Sequence, residues 1–213
     1  MTFLIENQLF PCIDFFKKLV EIKHVKIELY EHFQKTSFRN RFVIAGANGL
    51  ANLTIPVAGG REQKTLMTQI EIESTGGWAT KHWRSITSAY SKAPFFDFYS
   101  EEVRWMVFNP EKNLFNFNLF IITRLCKLLN INVFIDFSDR YKASPEQLTE
   151  GELDFRNKFL PKNFQNDRDN WQPKYSQVFE DRLGFQPNLS ILDLLFCEGP
   201  NSVHLLEKSI FKE

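Results

Sequence analysis

Two hydrophobic periodicities alternate along the chain, and together they restrict it to a fold that combines strands with helices. Short segments such as residues 25–29 alternate apolar and polar side chains, which is typical of a strand with one buried face. Longer segments place apolar side chains three or four positions apart, as amphipathic helices do; they cover residues 12–22, 78–92, 96–108 and 113–129. The sequence therefore predicts a mixed α/β (α+β) fold.

The predicted strands are short and lie mainly in the first third of the chain. Phe42-Val43-Ile44 and Leu53-Thr54-Ile55 flank the turn sequence Ala47-Asn48-Gly49, which predicts a β-hairpin. Further strands are predicted at residues 4–10, 25–29, 70–72 and 133–137. We therefore expect a small central mixed sheet with a β-hairpin, packed by several helices.

The C-terminal third is polar and irregular before it becomes helical. Residues 138–187 show little periodicity, and the stretch 161–171 is so rich in Asn, Asp, Lys and Pro that we expect it to be mobile or to cover a ligand site. In the helix that follows, Ser190 and Asp193 are spaced as a capping box, and the predicted core face consists of Leu189, Leu192, Leu195 and Phe196. The length of 213 residues fits a single domain, which we place at residues 1–213.

The charge balance argues against a general polyanion-binding surface. Lysine and arginine together number 26, aspartate and glutamate also number 26, and the formal net charge is zero. We therefore expect no nucleic-acid partner, and a bound anion requires a local cluster of cations.

The cysteines and the absence of long apolar runs bear on the compartment. Cys12, Cys126 and Cys197 are widely separated and form no CxxC pair, which favours free thiols in a reducing compartment over disulfides or a zinc site. The N-terminus lacks the features of a signal peptide, and no apolar run approaches the roughly 20 residues of a spanning helix. We predict a cytoplasmic protein with no membrane span, metal site or cofactor; the oligomeric state stays open.

Residues 35–41 form the densest cationic segment. If this segment is extended, strand alternation places Lys35, Ser37, Arg39 and Arg41 on one face. Three cations and a hydroxyl then form a local anion site, because guanidinium groups suit phosphate and carboxylate. The alternative is the solvated face of an edge strand, where cations discourage aggregation.

The helix predicted at residues 78–92 carries a candidate acid–base group. Helical spacing places one apolar stripe on Ala79, Trp83, Ile86 and Tyr90. His82 falls outside this stripe, and its near-neutral reference pKa suits general acid–base work. The alternative is a surface histidine on a solvated helix face.

Several runs of residues, in this order along the chain, resemble the WbqC-like protein family. They are EHFQKTSFRNR at 31–41, AGANG at 45–49, LTIPV at 53–57, KHW at 81–83, SAY at 88–90 and APFF at 93–96, followed by QVF at 177–179 and PNLSILDLLF at 187–196. The resemblance spans nearly the whole chain and is closest to the branch common in Bacteroidetes-type bacteria. One departure is Leu9, which stands where many members carry a tyrosine.

The resemblance implies a role in bacterial surface-polysaccharide (O-antigen, lipopolysaccharide) biosynthesis. It implies an acyl- or aminoacyl-transferase, with a nucleotide-linked amino sugar as the small-molecule substrate and an acyl donor as its partner. The alternative is a non-catalytic binding module for an anionic sugar or nucleotide. A third hypothesis is a nucleotidylyl-transferring α/β fold. The absence of an HxGH-type pair after the first strand argues against it.

The resemblance also identifies specific residues as candidate site residues. His82 is the candidate catalytic base, and Arg39 and Arg41 are expected to face the same cavity as His82. Trp78 would shield the site or stack on a ring. The candidate substrate-binding residues are Gln34, Lys35, Ser37, Arg39, Asn40, Arg41, Trp78, Lys81 and Tyr90.

Overall fold

A computed structural model describes residues 1–58, 65–165 and 173–209. Strand β1 (Thr2–Ile5) leads into helix α1 (Ile13–Ile22) and strand β2 (His24–Ile27), so the chain opens with a β–α–β unit. The helix ends where Lys23 adopts a left-handed conformation, with φ of 58°, and donates its N–H to the Leu19 carbonyl. This tight reversal sends β2 back alongside β1 in the same direction.

Four parallel strands form the main sheet. Strands β5 (Phe134–Phe137) and β6 (Glu152–Asp154) join β1 and β2 in the order β5-β2-β1-β6. The central strand β1 is the most apolar, and its Phe3, Leu4 and Ile5 side chains have no exposed surface, as is typical of a strand covered on both faces. All four strands run in one direction, so their carboxyl ends lie at one edge.

The predicted hairpin is present as a separate two-stranded sheet. Strands β3 (Arg41–Gly46) and β4 (Gly49–Thr54) pair antiparallel around the Ala47-Asn48 turn. Gly49 has φ of 113°, a conformation that glycine adopts at little cost. The fold class is confirmed, and the mixture of strand directions arises from two sheets rather than from one mixed sheet.

The helices cover and connect these sheets. Helices α2 (Trp78–Tyr90), α3 (Phe96–Phe108) and α4 (Leu114–Leu128) follow the hairpin, and α5 (Glu180–Leu183), α6 (Ile191–Glu198) and α7 (Ser202–Lys208) complete the chain. Asn113 caps α4 by accepting from the Asn116 N–H at 3.0 Å. Ser190 caps α6 as predicted, but Asp193 is buried and hydrogen-bonds Gln177, so the reciprocal half of the capping box is absent.

The predicted periodic segments agree with the structure better than the irregular ones. Helix α3 has the predicted bounds, and α1, α2 and α4 differ from them by one or two residues. Residues 70–72 make only isolated bridges, and β6 lies inside a region predicted to be irregular. Residues 161–165 form turns in which Phe164 packs against Phe38, whereas residues 166–171 of the same predicted loop lie outside the described residues.

One contiguous cluster of buried apolar side chains runs from Phe3 in β1 to Leu206 in α7. It includes residues of the hairpin and of helices α1 to α4, so both sheets share it. Within the described ranges, no helix combines the length and apolar character needed to cross a bilayer.

Candidate functional site

The carboxyl ends of the four parallel strands meet at one edge of the main sheet, and hydrogen-bonding residues follow each strand there. Glu6 follows β1, Glu28 follows β2, Ser138 follows β5, and Arg156 lies just after β6. Glu6 and Glu28 have no exposed surface. Ligands of open parallel sheets bind outside the carboxyl ends of the strands, so a ligand site is expected at this edge.

The Glu28 carboxylate organises the half of this edge next to β5. Its Oε1 accepts from the Ser138 hydroxyl at 2.7 Å and from the Tyr30 N–H at 3.0 Å. Its Oε2 accepts from Arg156 Nη1 at 2.9 Å. Arg156 is also bidentate to Asp154, with distances of 2.9 and 2.7 Å. A buried carboxylate with these partners is compensated for its lost hydration.

A buried ion pair occupies the other half of the edge. The Arg39 guanidinium donates through Nε to Glu31 Oε1 at 2.9 Å and through Nη2 to Glu31 Oε2, and Nη2 also reaches Asn157 Oδ1 at 3.1 Å. The Arg39 side chain is 0% exposed. Its Nη1 has no hydrogen-bond partner among the described residues. Glu6 accepts from the Asn157 N–H at 2.7 Å, so Asn157 links the Glu6 carboxylate to Arg39.

The environment of the pair shifts the titration of both partners. Burial raises the pKa of Glu31 to about 7, although the Arg39 guanidinium opposes the shift and Glu6 and Glu28 reinforce it. Burial alone would lower the pKa of Arg39, but the negative charges of Glu6 and Glu31 raise it. A carboxyl group that titrates near neutral pH can both accept and donate a proton under physiological conditions.

A cavity of about 590 Å³ borders the ion pair through Glu31. We call it the strand-end cavity; it is lined by residues 30–36 and Tyr141. Glu31 contributes a titratable group, Lys35 an exposed ammonium, and Tyr30 and Tyr141 contribute aromatic walls. The volume lies within the range of small-molecule sites, and the lining combines apolar walls with a few polar groups.

The cationic segment predicted at residues 35–41 is not extended. Residues 35–40 form turns, with Thr36 at φ of 55°, so Lys35, Ser37, Arg39 and Arg41 do not share a strand face. Gln34 and Lys35 line the strand-end cavity, and Arg39 is paired with Glu31 in its lining. Ser37 and Asn40 hydrogen-bond to the main chain. Ser37 Oγ donates to the Gln34 carbonyl, and Asn40 Nδ2 donates to the Ile55 carbonyl.

The predicted orientation of His82 is wrong. His82 is 5% exposed and packs edge-on against Phe42 and Trp78, with ring centroids 5.7 and 5.3 Å away. Its Nε2 hydrogen-bonds the Thr54 carbonyl at 3.2 Å. Burial lowers the pKa of His82 to about 4, so the imidazole is neutral at pH 7. The hairpin covers the helix face that carries His82, and Trp83 is only half-buried.

Arg41 does not complete a site with His82 either. Arg41 and Phe42 are consecutive in β3 and point to opposite faces of the hairpin. Because Phe42 contacts His82, the Arg41 side chain lies on the face away from it. Burial lowers the pKa of Arg41. Neither Arg41 nor His82 lines the strand-end cavity, so that cavity does not bring Arg39, Arg41 and His82 together as expected.

The remaining candidates lie on α2 at separate places. Trp78 lines a second cavity of about 370 Å³, together with residues at the end of α3 such as Phe108. Lys81 is exposed to solvent. Tyr90 is 1% exposed and packs against Phe196 with ring centroids 5.2 Å apart, so it belongs to the core.

Sequence reasoning missed Glu6, Glu28, Glu31, Tyr30 and Tyr141. The predicted strands at residues 4–10 and 25–29 ran past their true ends at Ile5 and Ile27, which placed Glu6 and Glu28 inside strands rather than after them. With the true ends, parallel pairing of the two strands brings both residues to one edge. The sequence contains only one sign of the Glu31–Arg39 ion pair, which is that two residues of opposite charge lie eight positions apart.

Comparison with known proteins agrees with the motifs at residues 31–96 but does not extend to those at residues 177–196. The sequence model of the WbqC-like protein family matches residues 7–159, which include the strand-end cavity, the Glu31–Arg39 pair and helix α2. No curated protein and no solved structure matches the chain.

Proposed function

Because the chain belongs to the WbqC-like protein family, we propose that it is an acyl- or aminoacyl-transferase acting on a nucleotide-linked amino sugar in bacterial surface-polysaccharide (O-antigen) biosynthesis. The observation that carries this proposal is Glu31, a carboxyl group that lines a small-molecule cavity and whose pKa is raised by burial. Transfer to an amine requires a base of this kind at neutral pH.

Glu31 takes the role that the sequence predicted for His82. The amine nitrogen of the sugar attacks the carbonyl carbon of the activated acyl group, forming a C–N bond. The bond from that carbon to the donor's leaving group breaks, and the leaving group departs with the electron pair. The Glu31 carboxylate accepts the proton that the new ammonium centre loses.

Lys35 and Arg39 have different roles in this proposal. Lys35 is exposed at the cavity wall, where its ammonium can bind the diphosphate of the substrate as a point charge. Arg39 is fully buried and holds the Glu31 carboxylate in one orientation through a bidentate pair.

We place the activity in the cytoplasm, where activated sugars and acyl donors are made. The three free, buried cysteines support a reducing compartment.

The proposal is tested by incubating the protein with UDP- or dTDP-linked amino sugars and either acetyl-coenzyme A or glycyl-adenylate. Mass spectrometry should detect the N-acylated sugar, and kcat/KM should rise with pH around a midpoint near the Glu31 pKa of about 7. Glu31→Gln should lose turnover but retain sugar-nucleotide binding. Lys35→Ala should raise KM with little change in kcat, whereas Lys92→Ala, which removes an exposed lysine just after α2, should change neither.

The second candidate is a non-catalytic module that binds an anionic sugar or nucleotide. It is favoured by the full engagement of both Glu31 oxygens with Arg39, since a purely structural ion pair has the same geometry. This candidate predicts the same Lys35-dependent affinity without product. Absence of both product and binding would reject the two candidates together.

A further inference from the structure

Two aromatic side chains at the strand-end cavity are exposed to solvent. Tyr30 is 44% exposed and Tyr141 is 52% exposed, and both line the cavity. Exposed aromatic surface beside a cavity is available to a ligand, since contact with a ring would remove it from water.

One buried carboxylate holds the backbone of Tyr30 and the start of the segment that leads to Tyr141. Glu28 Oε1 accepts from the Tyr30 N–H at 3.0 Å, and the same oxygen accepts from the Ser138 hydroxyl at 2.7 Å, which fixes the start of the segment that carries Tyr141. Ser138 Oγ in turn accepts from the Leu29 N–H at 2.9 Å. The segments after β2 and β5 are therefore tied together beneath the two rings.

A guanidinium supports the Tyr141 ring. Arg156 lies over this ring with 5.1 Å between the guanidinium carbon and the ring centroid. Arg156 is held in place by Glu28 at 2.9 Å and by the Lys142 carbonyl at 2.6 Å. A cation on one face restrains the ring, so a ligand that stacks on the other face meets a preorganised surface.

We propose that Tyr30 and Tyr141 form the base-binding wall of this site and stack against the nucleobase of a nucleotide ligand. The inference deepens the proposed function, because it assigns the nucleoside end of the substrate to these rings and its phosphates to Lys35. Every nucleobase has a π-face, so stacking on the two rings binds nucleotides without selecting one base strongly. A sugar has no π-face, so the proposal places the base rather than the sugar on these rings.

The test measures binding of UMP, dTMP, CMP and GMP by calorimetry, with ribose 5-phosphate as a base-free probe. Tyr141→Leu should weaken nucleotide binding about 5- to 150-fold, the range expected for loss of one base–aromatic stack. Tyr141→Phe, which keeps the ring, should retain most of the affinity, and the weak binding of ribose 5-phosphate should be the same in all variants. Phe98→Leu is the matched control, because Phe98 is 75% exposed on α3 and does not line the cavity.

Each outcome decides the inference independently of the transferase proposal. Nucleotide binding that depends on Tyr141 supports the base-binding wall even if no acyl transfer is found. Failure of all four nucleotides to bind, or equal binding by Tyr141→Leu, would overturn it even if transfer occurs. Equal weakening of N-acetylglucosamine 1-phosphate and UMP by Tyr141→Leu would also overturn it, because the ring would then contact the sugar.

Discussion

The buried arginine Arg39 links the structural and proposed functional roles of the strand-end edge. Removing a charge from water costs several kcal/mol unless a partner and further hydrogen bonds compensate, and Glu31 and Asn157 supply both. The bidentate geometry also fixes Glu31 at the cavity. The same contacts that make the fold tolerate a buried guanidinium therefore orient the proposed base.

We predict that Arg39→Met destabilises the protein strongly. Loss of the guanidinium leaves Glu31 buried without its charged partner, which costs about 3–5 kcal/mol. Urea denaturation followed by circular dichroism measures this loss. Lys112→Met is the control, because the Lys112–Glu71 pair is exposed and such pairs contribute about 0–1 kcal/mol. Equal effects of the two substitutions would show that the Arg39–Glu31 pair contributes no more to the free energy of unfolding than an exposed pair does.

We predict that His82 makes stability depend on pH. Its pKa falls from 6.5 to about 4 on folding, so the unfolded chain binds the proton first. The resulting stability is present above pH 6.5 and is lost as the pH falls through 4, by about 3 kcal/mol in total. In His82→Gln, the difference between the unfolding free energies at pH 7 and pH 4 should shrink by this amount. His204→Gln should leave the difference unchanged, since the His204 side chain is 66% exposed.

The misplacement of His82 has a specific physical cause. Two faces of α2 could have been the buried one, a face that begins at Trp78 and a face that begins at Ala79. They are offset by one position and share Ile86 and Tyr90. Apolar side chains alone favour the face with Trp83 over the face with His82. The hairpin decides between them by covering His82, and that contact joins residues about 28 positions apart, which local periodicity does not reveal.

At the scale of elements, strongly periodic segments were predictable and short edge elements were not. Helices α3 and α4 show their apolar spacing over three turns or more, so their existence and bounds followed from the sequence. Strand β6 has three residues, of which only Leu153 is apolar, and it lies at the edge of the sheet. Its pairing with β1, a strand about 150 positions earlier, defines it.

We predict that helix α6 is essential for stability. Leu192 has no exposed surface, and Leu192→Ala should cost about 2–5 kcal/mol because it leaves a cavity in the core. Leu50→Ala in the hairpin is the control, since Leu50 is 38% exposed and less buried surface is lost there. Chemical denaturation of both variants measures the difference. A midpoint for Leu192→Ala equal to that of the unsubstituted protein would contradict the core role of α6.

We predict that the junction between α6 and α7 requires Gly199. Its φ is 51°, and an added Cβ would lie 2.5 Å from the Phe95 ring. Gly199→Ala therefore combines backbone strain with a clash, and overpacking of this kind costs about 1–3 kcal/mol. Gly76→Ala separates the two terms, because Gly76 has φ of 92° but nothing within 4 Å of the added Cβ. Thermal unfolding should show the larger loss for Gly199→Ala, and the reverse order would refute the clash.

At the scale of the whole molecule, the reactivity of the three cysteines can show whether the protein unfolds cooperatively. Cys12 lies at the start of α1, Cys126 in α4 and Cys197 in α6, and all three are free and buried. Burial raises the pKa of Cys126 to about 12 and raises those of Cys12 and Cys197 as well, so the native thiols are protonated and shielded. Labelling of each thiol therefore requires the surrounding structure to open.

We predict that residues 1–213 unfold as one unit, so that all three thiols become reactive together. The contiguous core that joins α1, α4 and α6 makes opening of one element alone costly. Pulsed alkylation across a urea series, followed by mass spectrometry of the cysteine peptides, should give a single midpoint for Cys12, Cys126 and Cys197. That midpoint should coincide with the loss of helical circular dichroism. A lower midpoint for Cys197 than for the other two thiols would show that the C-terminal helices open separately, and a second domain boundary would then have to be drawn before α6.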